Sequence, residues 1–350
     1  MRVVVTGASG SVGTALRREL RDDDHPHAER PRDDRPHDVF GVARRVPDDG
    51  RWVRCDIGAP GAEEILTRAF DGADAVVHLA WAIQPRTDEP DMRRTNIGGT
   101  EHVLRAADRA GVPHLLVASS VAAYSPADHP VDEDWPCGGV TGSAYSLHKA
   151  ELERMVAGRS STTVVRPAAV VQDDAAGEIE RWTLSPLVPA ALLGRSWLPV
   201  PLWRGLRLQV VHARDVAGAV ALLLRGRTTG AFNVAADPAL HARDLAEIFG
   251  GFLVPVPFAA AHAVAGPAWR FGAQPLHPGW LRLADQVSLV DTTRLRALGW
   301  APRYAPREVL DSLVRAMIDG RGTWGPLAPR DGAWWRRLGW GRPSRQGGLR

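Results

Sequence analysis

Val3-Val4-Val5-Thr6-Gly7-Ala8-Ser9-Gly10-Ser11-Val12-Gly13 is a β-branched run halted by three glycines at three-residue intervals. An apolar helical pattern through Leu16 and Leu20 follows, so the stretch reads as strand, glycine turn and helix. A turn of this kind lets backbone N–H groups approach a pyrophosphate, whose charge the helix N-terminus favours. Its place after an N-terminal strand makes a dinucleotide the expected ligand, cradled by Gly7, Gly10, Ser11, Val12 and Gly13.

Working outward, short apolar runs recur at Val39 to Ala43, Trp52 to Val53, Ala75 to Leu79, Leu115 to Ser119 and Thr162 to Arg166, with helical segments between most of them. Strand alternating with helix predicts a parallel, doubly wound α/β sheet of Rossmann type. Past Arg166 the texture changes, and 10 of the 13 tryptophans lie beyond residue 150. Gln209 to His212 reads as one more buried strand and Asp215 to Leu224 as its helix, a brief return to the main sheet. With 350 residues, too many for one core, the chain is expected to hold a dinucleotide domain over 1–166 plus about 202–235. A smaller, discontinuous C-terminal substrate domain would take about 167–201 plus 236–319, leaving a tail over 320–350.

The formal charge is +3, but residues 320–350 carry seven arginines and one acid, net +6, so residues 1–319 sum to −3. A nucleic-acid-binding body should carry a basic face, so nucleic acid is excluded as the expected partner. The Trp/Arg composition of the tail suits an anionic membrane surface, although its shortness favours a solvated end. The charged, proline-containing segment over 21–38 reads as a solvated loop. No apolar stretch is long enough to span a membrane, and Val3 to Val5 lead into a glycine turn instead of a cleavage site, so a cytoplasmic location is expected. Cys55 and Cys137 have no metal-ligand spacing and read as reduced structural thiols. The 43 basic residues comprise 42 arginines and one lysine, Lys149. The one position where arginine has not replaced lysine calls for a chemical reason.

The chain resembles the extended short-chain dehydrogenase/reductases, the NAD(P)-dependent epimerase/dehydratase family, over roughly residues 1–235. Thr6-Gly-Ala-Ser-Gly-Ser-Val-Gly13 matches the family's opening TGxxGxxG. Asp56-Ile57, His78-Leu79-Ala80, Asn96 in Asn-Ile-Gly-Gly-Thr100, Arg166-Pro167 and His212-Ala-Arg-Asp215 follow in order. The resemblance implies an adenine pocket at Asp56 and Ile57, cofactor contacts at Leu79 and Ala80, and pairing as a homodimer. NAD-binding members place an acid after the second strand, where this chain has Arg44 and Arg45, so NADP is favoured over NAD as the cofactor.

Tyr145 and Lys149 stand four apart in a helical segment and match the family's YxxxK pair, with Ser120 as the third member and Ser119 as the alternative one register away. The resemblance implies that Lys149 bonds the nicotinamide ribose and lowers the phenol's pKa, and that Tyr145 exchanges a proton while Ser120 binds the reacting oxygen. Val121 and Ala122 replace the Asp-Glu pair of the family's 4,6-dehydratases, which removes that elimination chemistry. Leu208 stands where many members carry a phosphate-binding arginine, and neighbouring Arg207 should face away. Trp81, Trp182, Trp197 and Trp203 read as core or as pocket walls, and His212 and Asp215 as structural. What remains is hydride transfer on a small-molecule substrate, by a reductase or an epimerase, the rival being a dinucleotide sensor without turnover.

Overall fold

The computed structural model describes residues 1–21, 37–46, 51–83, 91–184, 190–274 and 276–322. The expected loop over 21–38 and the tail over 320–350 therefore lie largely outside the described residues. In the first half run β1 (Arg2–Thr6), α1 (Ser11–Arg21), β2 (Asp38–Ala43), β3 (Trp52–Arg54), α2 (Ala62–Phe70) and β4 (Ala75–His78). Then come α3 (Asp91–Arg93), a π-helical turn over Arg94–Gly98, α4 (Gly99–Arg109), β5 (Leu115–Ala118), α5 (Ala144–Val156) and β6 (Thr162–Pro167). The second half adds β7 (Ala169–Val171), α6 (Ala176–Thr183), β8 (Pro199–Leu202), β9 (Arg207–Leu208), β10 (Val210–His212), α7 (Ala213–Arg225) and β11 (Gly230–Val234). The described elements end with β12 (Leu240–His241), α8 (Ala242–Ile248), β13 (Phe252–Pro255), α9 (Phe258–Arg270), α10 (Pro278–Gln286), α11 (Thr293–Arg296) and α12 (Pro306–Ile318).

Seven strands form one sheet in the order β11-β6-β5-β4-β1-β2-β3, and every pairing in it is parallel. The alternation of side chains along a strand sorts the core into two layers. Val3 and Val5 of β1 face α1 and α7 together with Leu16, Val220 and Leu223. Val4 faces the other way, toward Leu66, Phe70, Val103 and Leu152 of α2, α4 and α5. A third apolar group joins Val171, Trp203, Val210, Leu245, Leu313 and Met317. Trp203 is thus core, whereas Trp197 is 62% exposed; the Trp182 side chain lies outside the described residues.

The expected return of Gln209 to His212 to the main sheet does not occur. Val210 to His212 instead pair with Ala169 to Val171 in a separate two-stranded sheet. The seventh strand of the main sheet is β11, laid against β6 after α7. Both runs are short and apolar; what distinguishes them is that α7 intervenes between β10 and β11 and packs on α1, so the crossover delivers the second run to the sheet edge. Cys55 and Cys137 are free thiols, and burial pushes each up to about 11.

Strand order reverses between β1 and β4, and such a switch point opens a crevice at the carboxyl ends of the strands. Gly7 sits there with φ +70°, and a Cβ at this position would lie 2.6 Å from the Ala80 nitrogen. Gly111 has a similar φ of +62° with nothing within 4 Å. Gly7→Ala and Gly111→Ala should both lose about 1–2 kcal/mol to left-handed strain, and Gly7→Ala should lose at least about 1 kcal/mol more from the clash. Urea midpoints of the two variants check this; equal losses would remove the close approach.

Candidate active site

The glycine turn is built by close approaches. Gly7 N–H donates to Val42 O at 3.0 Å and Gly10 N–H to Gly7 O at 3.0 Å. A Cβ on Gly13 would lie 2.4 Å from Gly7 O, so only glycine lets α1 rest on the turn, while Gly10 has just one neighbour, Gly7 O, at 3.3 Å. Gly10, Ser11 and Val12 are partly exposed, and the first amides of α1 have no intrahelical acceptor. An open backbone rim at a helix N-terminus suits a pyrophosphate, so the residues present fit a dinucleotide. Leu79 and Ala80 close the opposite wall against Gly7.

Beneath that wall a hydrogen-bond chain defines one histidine tautomer. Thr100 Oγ1 donates to Asn96 O at 2.5 Å and must therefore accept from His78 Nε2–H at 3.0 Å. His78 Nδ1 is then the acceptor for the Thr6 hydroxyl at 2.8 Å, and Thr6 Oγ1 accepts from Ala80 N–H at 3.4 Å. Burial, with the charge of Lys149 nearby, holds His78 down at about 3. Asn96, in the π-helical turn, clamps the chain after Ala80 through both backbone atoms of Ala82, at 2.7 and 3.0 Å.

Asp56 accepts from Gly58 N–H at 3.1 Å and from Arg94 at 3.1 Å. Ile57 is buried against Gly99, and its carbonyl meets His102 Nδ1 at 2.7 Å. Arg44 and Arg45 follow β2, are exposed, and engage no carboxylate among the described residues.

Ser120 ends the segment after β5 in extended backbone, and its Oγ accepts from Ala122 N–H at 3.2 Å as a helix cap. Ser146 at the start of α5 donates to Ala122 O at 2.6 Å, pinning that helix to the same turn. Tyr145 is thereby brought to Ser120. Burial raises the phenol's pKa, and the nearby Ser120 hydroxyl opposes the rise. The Ser119 hydroxyl is buried and has no partner among the described residues.

One turn further along α5, Lys149 Nζ donates to Ala118 O at 2.7 Å and lies 3.5 Å from the centre of the Trp81 ring. Burial brings the ammonium down to about 7, with Glu153 pulling it up. Lys149 thus faces a carbonyl and an indole, while burial is the largest influence on the Tyr145 phenol.

Glu153 continues the stripe, since 145, 149 and 153 share one face of α5. It forms a two-point pair with Arg166, at 2.8 and 2.9 Å. Arg166 also donates to the Tyr124 hydroxyl and to Glu133 O, each at 2.7 Å, and Tyr124 donates to Asn233 Oδ1 at 2.8 Å. Sequence reasoning missed Glu153, Tyr124, Glu133 and Asn233; the i, i+4, i+8 spacing from Tyr145 was the one signal for Glu153. It also missed Trp280, whose ring lies 5.1 Å from that of Tyr145 at 31°.

His212 and Asp215 stand apart from this site. His212 caps α7 through Arg214 N–H and stacks on Tyr304 at 4.1 Å. Asp215 accepts from the backbone N–H of Arg303 at 2.9 Å and of Tyr304 at 3.3 Å. Arg207 turns to Asp128 O at 3.4 Å, while Leu208 packs in the third apolar group.

The sequence model of the NAD dependent epimerase/dehydratase family matches residues 3–235. Over 325 residues the chain is 27% identical to an uncharacterized protein of Mycobacterium tuberculosis (strain ATCC 25618 / H37Rv), covering 91% of this chain but only 30% of that relative's length. It is 28% identical over 322 residues to a 3-diazoavenalumate denitrifying reductase of Streptomyces sp, covering 87% of this chain and 97% of the relative. Similar solved structures include MoeE5 in complex with UDP-glucuronic acid and NAD, at TM-score 0.64 and 22% identity over 91% of this chain and 100% of that one. The UDP-glucose 4-epimerase of Thermus thermophilus complexed with NAD aligns at TM-score 0.64 and 23% identity over 91% and 99%. These structural likenesses establish the fold. Among the described residues no helix is long and apolar enough to cross a membrane.

The depressed pKa of His78 makes stability depend on pH. An unfolded His78 takes up a proton near 6.5 and the folded one only near 3, so its contribution is complete above about pH 6.5 and is lost as pH falls toward 3. Between pH 6 and 4 the unfolding free energy should fall by up to about 1.4 kcal/mol per pH unit from this residue. The slope should flatten in His78→Gln, as read from urea midpoints across that window; an unchanged slope would contradict a His78 held neutral by burial.

Proposed function

The chain belongs to the NAD dependent epimerase/dehydratase family, and from that premise we propose that it moves hydride between NAD(P) and a secondary alcohol or ketone. The observation that carries this reading is the docking of α5 on the Ser120 turn through Ser146 and Ala122 O, which sets Tyr145 and Lys149 one turn apart on one face beside Ser120, with Lys149 tied to Ala118 O. A dinucleotide sensor would need the glycine turn and not this proton-handling set. The bound cofactor supplies the hydride or takes it up; the chain's own residues handle the oxygen and the proton.

In this reading Gly7, Gly10, Ser11, Val12 and Gly13 hold the pyrophosphate, and Leu79 and Ala80 flank the cofactor. Ser120 donates its hydroxyl to the reacting oxygen, and Tyr145 gives its proton to that oxygen as the carbonyl is reduced. Lys149, held near 7 by burial, is matched to return a proton to the phenol at neutral pH. The parallel sheet carries the dinucleotide, and the elements grouped from Val171 to Met317 carry the substrate. Val121 and Ala122 are buried and apolar, so no acid and base stand beside Ser120 to eliminate water. The Streptomyces relative is by name a reductase, which supports the reductive form. Arg44 and Arg45, exposed after β2 in place of an acid, suit a 2′-phosphate and favour NADP.

Tyr145→Phe should lower kcat by about 10²–10⁴-fold while cofactor affinity stays within a few-fold, measured by steady-state rates and by cofactor titration. Equal activity in the variant would remove the mechanism. Reduction uses a proton from the Tyr145 and Lys149 pair, so its rate should fall as pH rises through about 7, and the oxidative rate should rise over the same window. Arg44→Ala should weaken NADPH binding by about ten-fold more than NADH binding. Unchanged preference in paired titrations would return the assignment to NAD.

A further inference from the structure

Both proton-handling side chains are covered by indoles that come from different parts of the chain. Trp81, directly after the Ala80 wall, lies 3.5 Å from Lys149 Nζ. Its Nε1 is buried without a hydrogen-bond partner among the described residues. Trp280 enters from α10 and lies 5.1 Å from the Tyr145 ring, tilted by 31°. It belongs to an apolar group with Ala122, Val140, Leu283 and Val287. Trp81 and Trp280 both remain partly exposed, so each keeps surface for a ligand.

The residues that follow Ser120 are Val121 and Ala122, 7% and 3% exposed. A sugar brings several hydroxyls, each of which loses water on entry and needs a partner, and these side chains offer none. The arginine-bearing strand β9 does not compensate, because Arg207 is turned to Asp128 O and Leu208 is packed away. A flat aromatic ring makes the opposite demand. It stacks on the exposed part of an indole face and loses little hydration on entry.

We infer that Trp81 and Trp280 are two indole walls that select a planar aryl ketone, or its alcohol, over a sugar nucleotide at the Ser120, Tyr145 and Lys149 centre. The inference rests on the hydride-transfer reading and names its substrate class. In the reductive direction the carbonyl π bond breaks, the carbon gains the hydride given up by the reduced nicotinamide, and the oxygen gains the Tyr145 proton. The ketone is reduced to the secondary alcohol and the nicotinamide is oxidised. Lys149 then returns a proton to the phenolate and is itself recharged from solvent.

The test uses the full chain with two readouts. The first is calorimetric titration of 1-(2-naphthyl)ethanol, cyclohexanol and UDP-glucose into NADP⁺-loaded protein. The second is NADPH oxidation with 2-acetylnaphthalene, cyclohexanone and UDP-4-ketoglucose. The naphthyl compounds should bind and turn over at least about ten-fold better than the other two pairs. Trp280→Leu should weaken naphthyl binding by about ten-fold with little change for cyclohexanol, and Trp280→Phe should restore most of it. Equal or tighter binding of UDP-glucose, or loss in Trp280→Leu that is the same for naphthyl and cyclohexyl ligands, would overturn the indole walls and leave hydride transfer standing. Selective naphthyl binding without NADPH oxidation by any ketone would instead sink the hydride-transfer reading and keep the aromatic site.

Discussion

The buried pair between Arg166 and Glu153 fixes the relation on which the site depends. Their side chains are 8% and 9% exposed, so each charge has given up most of its water and each needs the other. Such a pair adds little net stability against an apolar substitute, but removing one partner leaves an unpaired buried charge, which costs about 3–5 kcal/mol. Its value here is positional. The planar guanidinium on β6 accepts only one registry of the carboxylate on α5. Once Glu153 is docked, Lys149 and Tyr145 follow at one and two turns toward the helix start. Ser146 then ties that start to the Ser120 turn.

Arg166 reaches further through Tyr124 to Asn233 on β11, and Glu133 accepts from Asn233 N–H at 2.9 Å. The strand that closes the sheet, the helix that carries the proton-handling pair and the loop behind Ser120 thus share one hydrogen-bonded network. Networks of this kind favour a unique arrangement, because any slip strands a buried donor or acceptor. On the opposite side of the crevice, the Thr6, His78 and Thr100 chain does the same for the glycine turn and the wall at Ala80.

Features encoded within a few neighbouring residues were legible before any coordinates. The β1 to α1 turn is one, because Gly13 is required by contacts with Gly7 and Ala8 inside that turn and Gly7 by its own positive φ. The pairing of Tyr145 with Lys149 is another, because helical spacing alone puts them together and one lysine among so many arginines draws the eye. The destination of an apolar run is a long-range property, and Val210 to His212 and Gly230 to Val234 could not be told apart by pattern. Trp280 was illegible for the same reason: it is distant in sequence and meets Tyr145 only through the placement of α10. The carbonyl and indole that Lys149 faces were illegible as well, since spacing shows that two groups share a face and says nothing of what else either one meets.

Direct hydride transfer between nicotinamide and a substrate carbon is the central claim. The most direct measurement is mass spectrometry of the alcohol formed from an aryl ketone with NADPH carrying deuterium on one face of nicotinamide C4, run separately for each face. One of the two labelled cofactors should place a single deuterium on the carbinol carbon and the other none. Carbinol formed without label from either cofactor, or no alcohol from a protein that binds both ligands, would contradict the account.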